Sequence, residues 1–186
     1  NAVKGQAGTE IRQSQNTNVN IIQLNPKRIE DLALRRAILA SVDREQIAKA
    51  YFSQLGWTEP LPGSIIAMPF QKGYQNNYAG DTGAQAAGKI LEAAGYSKSG
   101  DYYAKNGKVA GFALTSFGSE AVYQAVYQIL EQQLKSAGIR LSADNQPQSN
   151  SNSVLGQKSY EAIFTGWGVL PDLASSAPYF FTTEVF

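Results

Sequence analysis

The segment from Asp101 to Ala143 limits the possible folds more than any other part of the chain. Tyr102 to Lys105 and Lys108 to Phe117 flank Asn106-Gly107, the dipeptide that best tolerates the two positive φ angles of a type I′ turn, so Asp101 to Phe117 is predicted to be a β-hairpin. Ser119 then stands where it can cap a long helix, in which Val122, Val126, Ile129, Leu130 and Leu134 fall on one face. Gly138 breaks that helix, and Ile139 to Ala143 follows as a strand. A helix with one apolar stripe and strands beside it bury their apolar faces only by stacking in layers.

The segments upstream extend the same pattern. Val19 to Leu24, closed by Asn25-Pro26, suits a buried strand. Asp31 caps a helix in which Leu34, Ile38 and Val42 recur at helical spacing, with Arg35 and Arg36 off the stripe. Asp43 starts a second helix: its carboxylate accepts from the next turn, Gln46 reaches back, Ile47, Ala50 and Tyr51 form the buried face, and Gly56 ends it. Trp57 to Asp81 holds Pro60, Pro62, Gly63, Pro69 and Gly73 among aromatics, which predicts a long irregular excursion packed by its own side chains. A third helix, from about Gly83 to Ala94, places Ala87, Ile90, Leu91 and Ala94 inside and ends at Gly95.

Downstream, Asp144 to Ser153 has no apolar residue apart from the ring of Pro147 and is expected to be a solvated loop. Tyr160 to Thr165 is a short strand leading to Gly166-Trp167-Gly168, after which the chain turns at Pro171. Asn1 to Thr17 is a polar lead-in. The order of helices, hairpin, helix and strand indicates an α/β or α+β layer architecture without internal repeats.

Composition narrows the function. The chain has 186 residues, 16 Lys plus Arg against 15 Asp plus Glu, and neither Cys nor His. A net charge of +1 supplies no field for nucleic acid or an anionic membrane. Without imidazole or thiolate, the commonest acid/base, nucleophile and transition-metal ligands are missing, and no cofactor or metal is expected. No stretch approaches the roughly 20 apolar residues that span a bilayer. Asn1 to Gln6 shows no signal-peptide pattern and position 1 is not Met, so we expect a soluble, mature or trimmed form of an exported protein.

Three segments taken together are specific. The first is Leu32-Ala-Leu-Arg35-Arg36-Ala37-Ile38-Leu-Ala-Ser-Val42-Asp43-Arg44-Glu-Gln-Ile47. The second is Ala87-Gly-Lys-Ile-Leu-Glu-Ala-Ala-Gly95-Tyr96, followed by Asn106-Gly107-Lys108 and the Phe112 to Phe117 strand. The third is Gly166-Trp167-Gly168 with Pro171-Asp172 beyond it. In this order they resemble the extracellular solute-binding family that serves peptide, nickel and related ABC importers. The resemblance covers about Val19 to Phe186. It implies an α/β fold: one lobe of a two-lobed, periplasmic-binding-protein-like receptor of type II, peptide-binding cluster. Residues 1–18 would be a lead-in or hinge-proximal segment and 19–186 a partial ligand-binding lobe. It also implies a secreted or lipid-anchored monomer that closes on a solute, an oligopeptide or peptide-like molecule first, and hands it to a membrane permease. An oligosaccharide or other non-peptide solute, or a signalling or adhesion module on the same fold, are the alternatives.

By this resemblance the ligand cleft is lined by Gly166, Trp167, Gly168, Val169 and Leu170, with Asp172, and by Asn25 at the end of its strand. Trp167 between two glycines would present its indole to a ligand; a packed Trp on a Gly-bounded turn is the other reading. In peptide-binding relatives an acid three positions after the Trp pairs with the peptide α-amino group. That position is Leu170 here and the segment is one residue shorter, so either Asp172 substitutes or the ligand has no free N-terminus. Arg35, Arg36, Asp43 and Arg44 read as capping and surface pairing. Tyr74, Tyr78, Tyr102 and Tyr103 read as half-buried surface. A carboxylate pair from Glu120, Glu131, Glu161 or Asp172 is the one enzymatic chemistry left, and no spacing favours it, so the expectation is a binding protein and not an enzyme.

Overall fold

A computed structural model describes residues 5–10, 17–53, 58–78, 80–118, 121–170 and 175. In chain order these form β1 (Asn18–Leu24), α1 (Leu32–Ser41), α2 (Arg44–Tyr51), α3 (Ala84–Ala93), β2 (Ser97–Ser99), β3 (Tyr102–Lys105), β4 (Lys108–Val109), β5 (Gly111–Phe117), α4 (Ala121–Ser136), β6 (Arg140–Gln146), α5 (Ser151–Gly156) and β7 (Ala162–Gly168). The main sheet has the order β1-β7-β5-β6, and β2-β3-β4 form a small second sheet. β5, β6 and β7 run parallel, while β1 is antiparallel to β7. Parallel neighbours need a crossover, and α4 supplies the one between β5 and β6.

Alternation along the strands decides which face meets the helices. Ile22 and Leu24 of β1, Phe112 and Leu114 of β5, Leu141 of β6 and Ala162 and Phe164 of β7 join one core with α1, α3 and α4. Ile38, Leu91, Leu130, Leu134 and Ile139 are fully buried there, the first four lying on the stripes predicted from helical spacing. In α2 the fully buried residue is Ala48, with Ile47 and Tyr51 partly buried against the core.

The helix starts follow the sequence, with one substitution. Asp31 Oδ1 accepts from the amides of Ala33 at 2.8 Å and Leu34 at 3.3 Å, and Asp43 Oδ1 accepts from Gln46 at 3.1 Å. Gln46 does not reach back. The Asp43 N–H donates instead to Gln133 Oε1 at 3.1 Å, while Gln133 Nε2 donates to Gln46 Oε1 at 2.7 Å. The second half of the capping box thus comes from α4, against which α2 packs. The helix ends at Phe52; Gly56, Trp57 and Ser119 lie outside the described residues.

Asn106 and Gly107 adopt φ of 51° and 75°, as the turn requires. Only Lys108 and Val109 then pair with β3. Ala110 donates to Tyr103 O at 2.7 Å and its carbonyl accepts from Arg140 N at 2.9 Å, so the chain changes sheets at this residue. The strand from Phe112 to Phe117 therefore belongs to the main sheet and not to the hairpin. β2, an exposed Ser-Lys-Ser, carries no hydrophobic signal from which it could be predicted.

The predicted loop from Asp144 to Ser153 is a correction. β6 continues through Asp144, Asn145 and Gln146, paired with Thr115, Ser116 and Phe117, and Gln148–Asn150 and Ser151–Gly156 are helical turns. β6 has a neighbour on one side only, and side-chain bonds replace apolar packing at its end: Thr115 Oγ1 donates to Asp144 Oδ2 at 2.7 Å and Ser116 Oγ to Asn145 Oδ1 at 2.8 Å. A polar edge strand has no apolar alternation to read.

The excursion holds no helix or strand among its described residues, as predicted, and is pinned at several points. Arg44 donates to Pro62 O at 2.7 Å and lies 3.6 Å from the centre of the Tyr78 ring, a role different from surface pairing. Tyr78 donates to Leu39 O at 2.9 Å, and Tyr74 Oη accepts from Gly63 N at 2.8 Å.

Candidate functional site

The carboxyl ends of β5, β6 and β7 and the start of β1 share one edge of the main sheet. In open α/β sheets this edge is where ligands collect, since loops diverge there and leave a crevice. Gly166-Trp167-Gly168 forms the last three residues of β7, paired with Asn20, Val19 and Asn18, so it is strand and not a Gly-bounded turn. Alternation sends Gly166 and Gly168 to the helix-side face. A Cβ at Gly166 would stand 3.8 Å from Asn20 Oδ1, and one at Gly168 3.4 Å from Asn18 Oδ1. The two glycines thus leave bare backbone beside two carboxamides.

Trp167 lies on the opposite face. It is half-buried, packed with Ile21 against a small cluster of Val19, Met68 and Val169 that is separate from the main core. Val169 is buried and its N–H donates to Thr17 O at 2.8 Å. Leu170 remains 38 % exposed, and its carbonyl accepts from Gln71 Nε2 at 3.2 Å. Gln71 Oε1 also accepts from Met68 N at 2.6 Å, so the turn at residues 68–71 docks onto the end of β7. Met68 and Gln71 were not found from sequence; the sole hint was a Met among prolines and aromatics in a segment predicted to pack on itself.

Asn25 is not brought to this edge. It follows the last residue of β1, at the other end of the sheet, and is buried. Its Nδ2 donates to Lys158 O and Tyr160 O, both at 3.0 Å, and its Oδ1 accepts from Lys27 N at 3.0 Å. These bonds hold the chain entering β7. Asp172 lies outside the described residues.

The carboxylates form no catalytic pair among the described residues. Glu161 Oε2 accepts from Ala113 N at 2.6 Å, completing the β5 ladder where β7 begins. Glu131 is exposed on α4, and Glu120 is outside the described residues. Both oxygens of Asp144 are taken, by Thr115 and by Gln146. No group of three or more acidic side chains that would hold a metal ion occurs among the described residues. The tyrosines are structural as well: Tyr103 is buried and donates to Glu92 Oε1 at 2.7 Å, and this bond, with burial and the Glu92 charge, pushes its pKa up.

The family model for bacterial extracellular solute-binding proteins, family 5, in its middle part, matches residues 1–185. The chain belongs to this family. No curated protein sequence matches it. Among solved structures, the family-5 chain is similar to a periplasmic EDTA-binding protein, EppA, with a TM-score of 0.80 and 21 % identity over 92 % of this chain and 33 % of that one. It is similar to the mannohexaose-bound periplasmic oligopeptide-binding protein of Thermotoga maritima, with 0.72 and 19 % over 87 % of this chain and 32 % of that one. It is also similar to the oligopeptide-binding protein AppA of Bacillus subtilis, in complex with a nonapeptide, with 0.61 and 20 % over 84 % and 34 %. The chain therefore spans about a third of the length of these proteins, and the likeness is one of fold: a mixed α/β part of the type II periplasmic-binding architecture.

Proposed function

We propose that this family-5 chain is the ligand-binding part of an extracytoplasmic receptor that captures a small solute by cleft closure and delivers it to the permease of an ABC importer. The observation that carries the reading is the strand-end placement of Gly166-Trp167-Gly168, with bare backbone on one face, a half-exposed indole on the other, and Leu170 exposed just beyond. Gly166, Trp167, Gly168, Val169 and Leu170 form the binding edge, with Val169 as its buried anchor and Asp172 as a further contact. Asn25 acts as a positioning residue for β7. Proteins of similar fold are crystallised with a nonapeptide and with mannohexaose, so the scaffold suits both a zwitterionic chain and a neutral one.

The test uses the full-length protein purified from its host. Mass spectrometry before and after denaturation is expected to show a small molecule released on unfolding. Trp167→Ala should weaken affinity for that molecule at least tenfold, about 1.4 kcal/mol, with the melting temperature preserved. A protein that releases nothing and binds nothing in a metabolite library would overturn the receptor reading in favour of a signalling or adhesion module.

A further inference from the structure

On the helix-side face, a groove of about 60 Å³ lies at the carboxyl ends of β5, β6 and β7. Phe164 forms its floor, Tyr123, Gln124 and Tyr127 of α4 contribute one wall, and Ser116 and Asn145 stand at the strand ends. At this size it seats the edge of a ligand and not the whole of one. The bond from Ser116 Oγ orients the Asn145 carboxamide and leaves its NH2 group directed to no acceptor among the described residues. Two residues beyond Phe164 stands Gly166, opposite Asn20. Position 166 has no side chain, and a Cβ there would stand 3.8 Å from Asn20 Oδ1, so the Asn20 carboxamide flanks the same face of the sheet next to the groove. Asn20, Gln124 and Asn145 are exposed, and neither the Asn20 nor the Gln124 side chain makes a hydrogen bond among the described residues.

Among the described residues, none that lines the groove is charged. The acid on the adjoining strand, Asp144, belongs to the opposite face by its pairing with Thr115, and its oxygens are occupied.

We propose that this groove is a subsite for a neutral, polyhydroxylated ligand of oligosaccharide type, with Asn20, Gln124 and Asn145 as its hydrogen-bonding side chains. The proposal rests on the receptor reading above and names its ligand class. A carboxamide both donates and accepts, which matches a hydroxyl group that does both. Tyr123, Tyr127 and Phe164 offer ring faces and edges against which the C–H faces of a sugar ring pack. Hydroxyl groups carry no ionic desolvation cost, which suits a groove whose described lining is uncharged.

The experiment is calorimetric titration of the full-length protein, freed of bound ligand, with mannohexaose, cellohexaose and a mixture of pentapeptides. The expected result is binding of a hexasaccharide and not of the peptides, weakened at least tenfold by Asn20→Ala and by Asn145→Ala with the melting temperature unchanged. Binding of peptides alone would overturn the oligosaccharide class while leaving the receptor reading intact. Saccharide binding indifferent to both substitutions would overturn the assignment to this groove. A protein that binds none of the three probes overturns the ligand class; if it also releases nothing on denaturation, the receptor reading falls with it.

Discussion

Asp31 serves three partners with one carboxylate. Oδ1 caps α1, while Oδ2 accepts from Tyr96 Oη at 3.0 Å and lies 3.4 Å from Lys105 Nζ, tying the helix start to the segment after α3 and to the small sheet. Burial works to raise its pKa, but the bonds from Tyr96, the Leu34 and Ala33 amides and Lys105 outweigh it and hold the carboxyl below its ordinary 3.8. The folded state binds this proton less readily than the unfolded chain. The resulting stability is present above the unfolded pKa and is lost as pH falls through the lower folded one. Tyr96 behaves inversely: burial and the bond and charge of Asp31 push it up to about 12, so its contribution is present below pH ~10 and is lost as pH rises through 12. Asp31→Ala is expected to cost about 1 to 2 kcal/mol at neutral pH, the usual loss of a cap, and to flatten both arms. Urea unfolding across pH measures this; an acid arm that flattens while the alkaline arm stays unchanged would show that Asp31 is only a cap.

The excursion between α2 and α3 behaves as an element in its own right. Its described part closes on itself through Gly63, whose carbonyl accepts from Asn77 N at 2.9 Å and whose N–H donates to Tyr74 Oη. A Cβ at Gly63 would overlap the Asn76 carboxamide and stand 3.0 Å from Asn76 Cα. That carboxamide cannot simply swing away, because its Oδ1 accepts from Tyr78 N at 3.0 Å. Gly63→Ala is therefore expected to release the 63–78 turn, displacing Tyr78 from Arg44, at a cost of about 1 to 3 kcal/mol typical of forced overpacking. Amide exchange should show faster exchange at Asn77 and Tyr78 with the strands of the main sheet still protected. Exchange unchanged at those amides would show that the turn absorbs the methyl group. The need for packing was legible in the prolines and aromatics, but the partner atoms were not, because each lies in a different turn.

At the scale of the whole molecule, the excursion meets the end of the main sheet in the small buried cluster of Met68, Val19 and Val169. This small contact carries the turn at residues 68–71 onto the proposed binding edge. Met68→Ala should cost about 2 kcal/mol, the low end for a buried Met because so small a cluster can collapse. The expected signature is lost exchange protection at Gln71 and Val169, with ligand affinity of the full-length protein reduced more than the melting temperature implies. Loss of stability with affinity unchanged would confine the cluster to a structural role.

The same scale separates what was legible from what was not. Helical stripes, the caps at Asp31 and Asp43 and the Asn106-Gly107 turn are set by neighbours within four residues, and each appears where the sequence places it. The order of these elements, with the three motif segments, also determined the layer architecture and the family. Long-range pairing did not show. The sheet order β1-β7-β5-β6, the change of sheets at Ala110, the polar end of β6 and the Gln133 bond that completes the α2 start all join residues far apart in the chain. Asn25 and Trp167 illustrate the consequence: both were assigned to one cleft, yet they sit at opposite ends of antiparallel neighbours. Local sequence specifies which face of an element is apolar, since that depends on spacing alone; which elements meet, and which polar ends are left bare for a ligand, is decided only when the sheet closes and selects its partners.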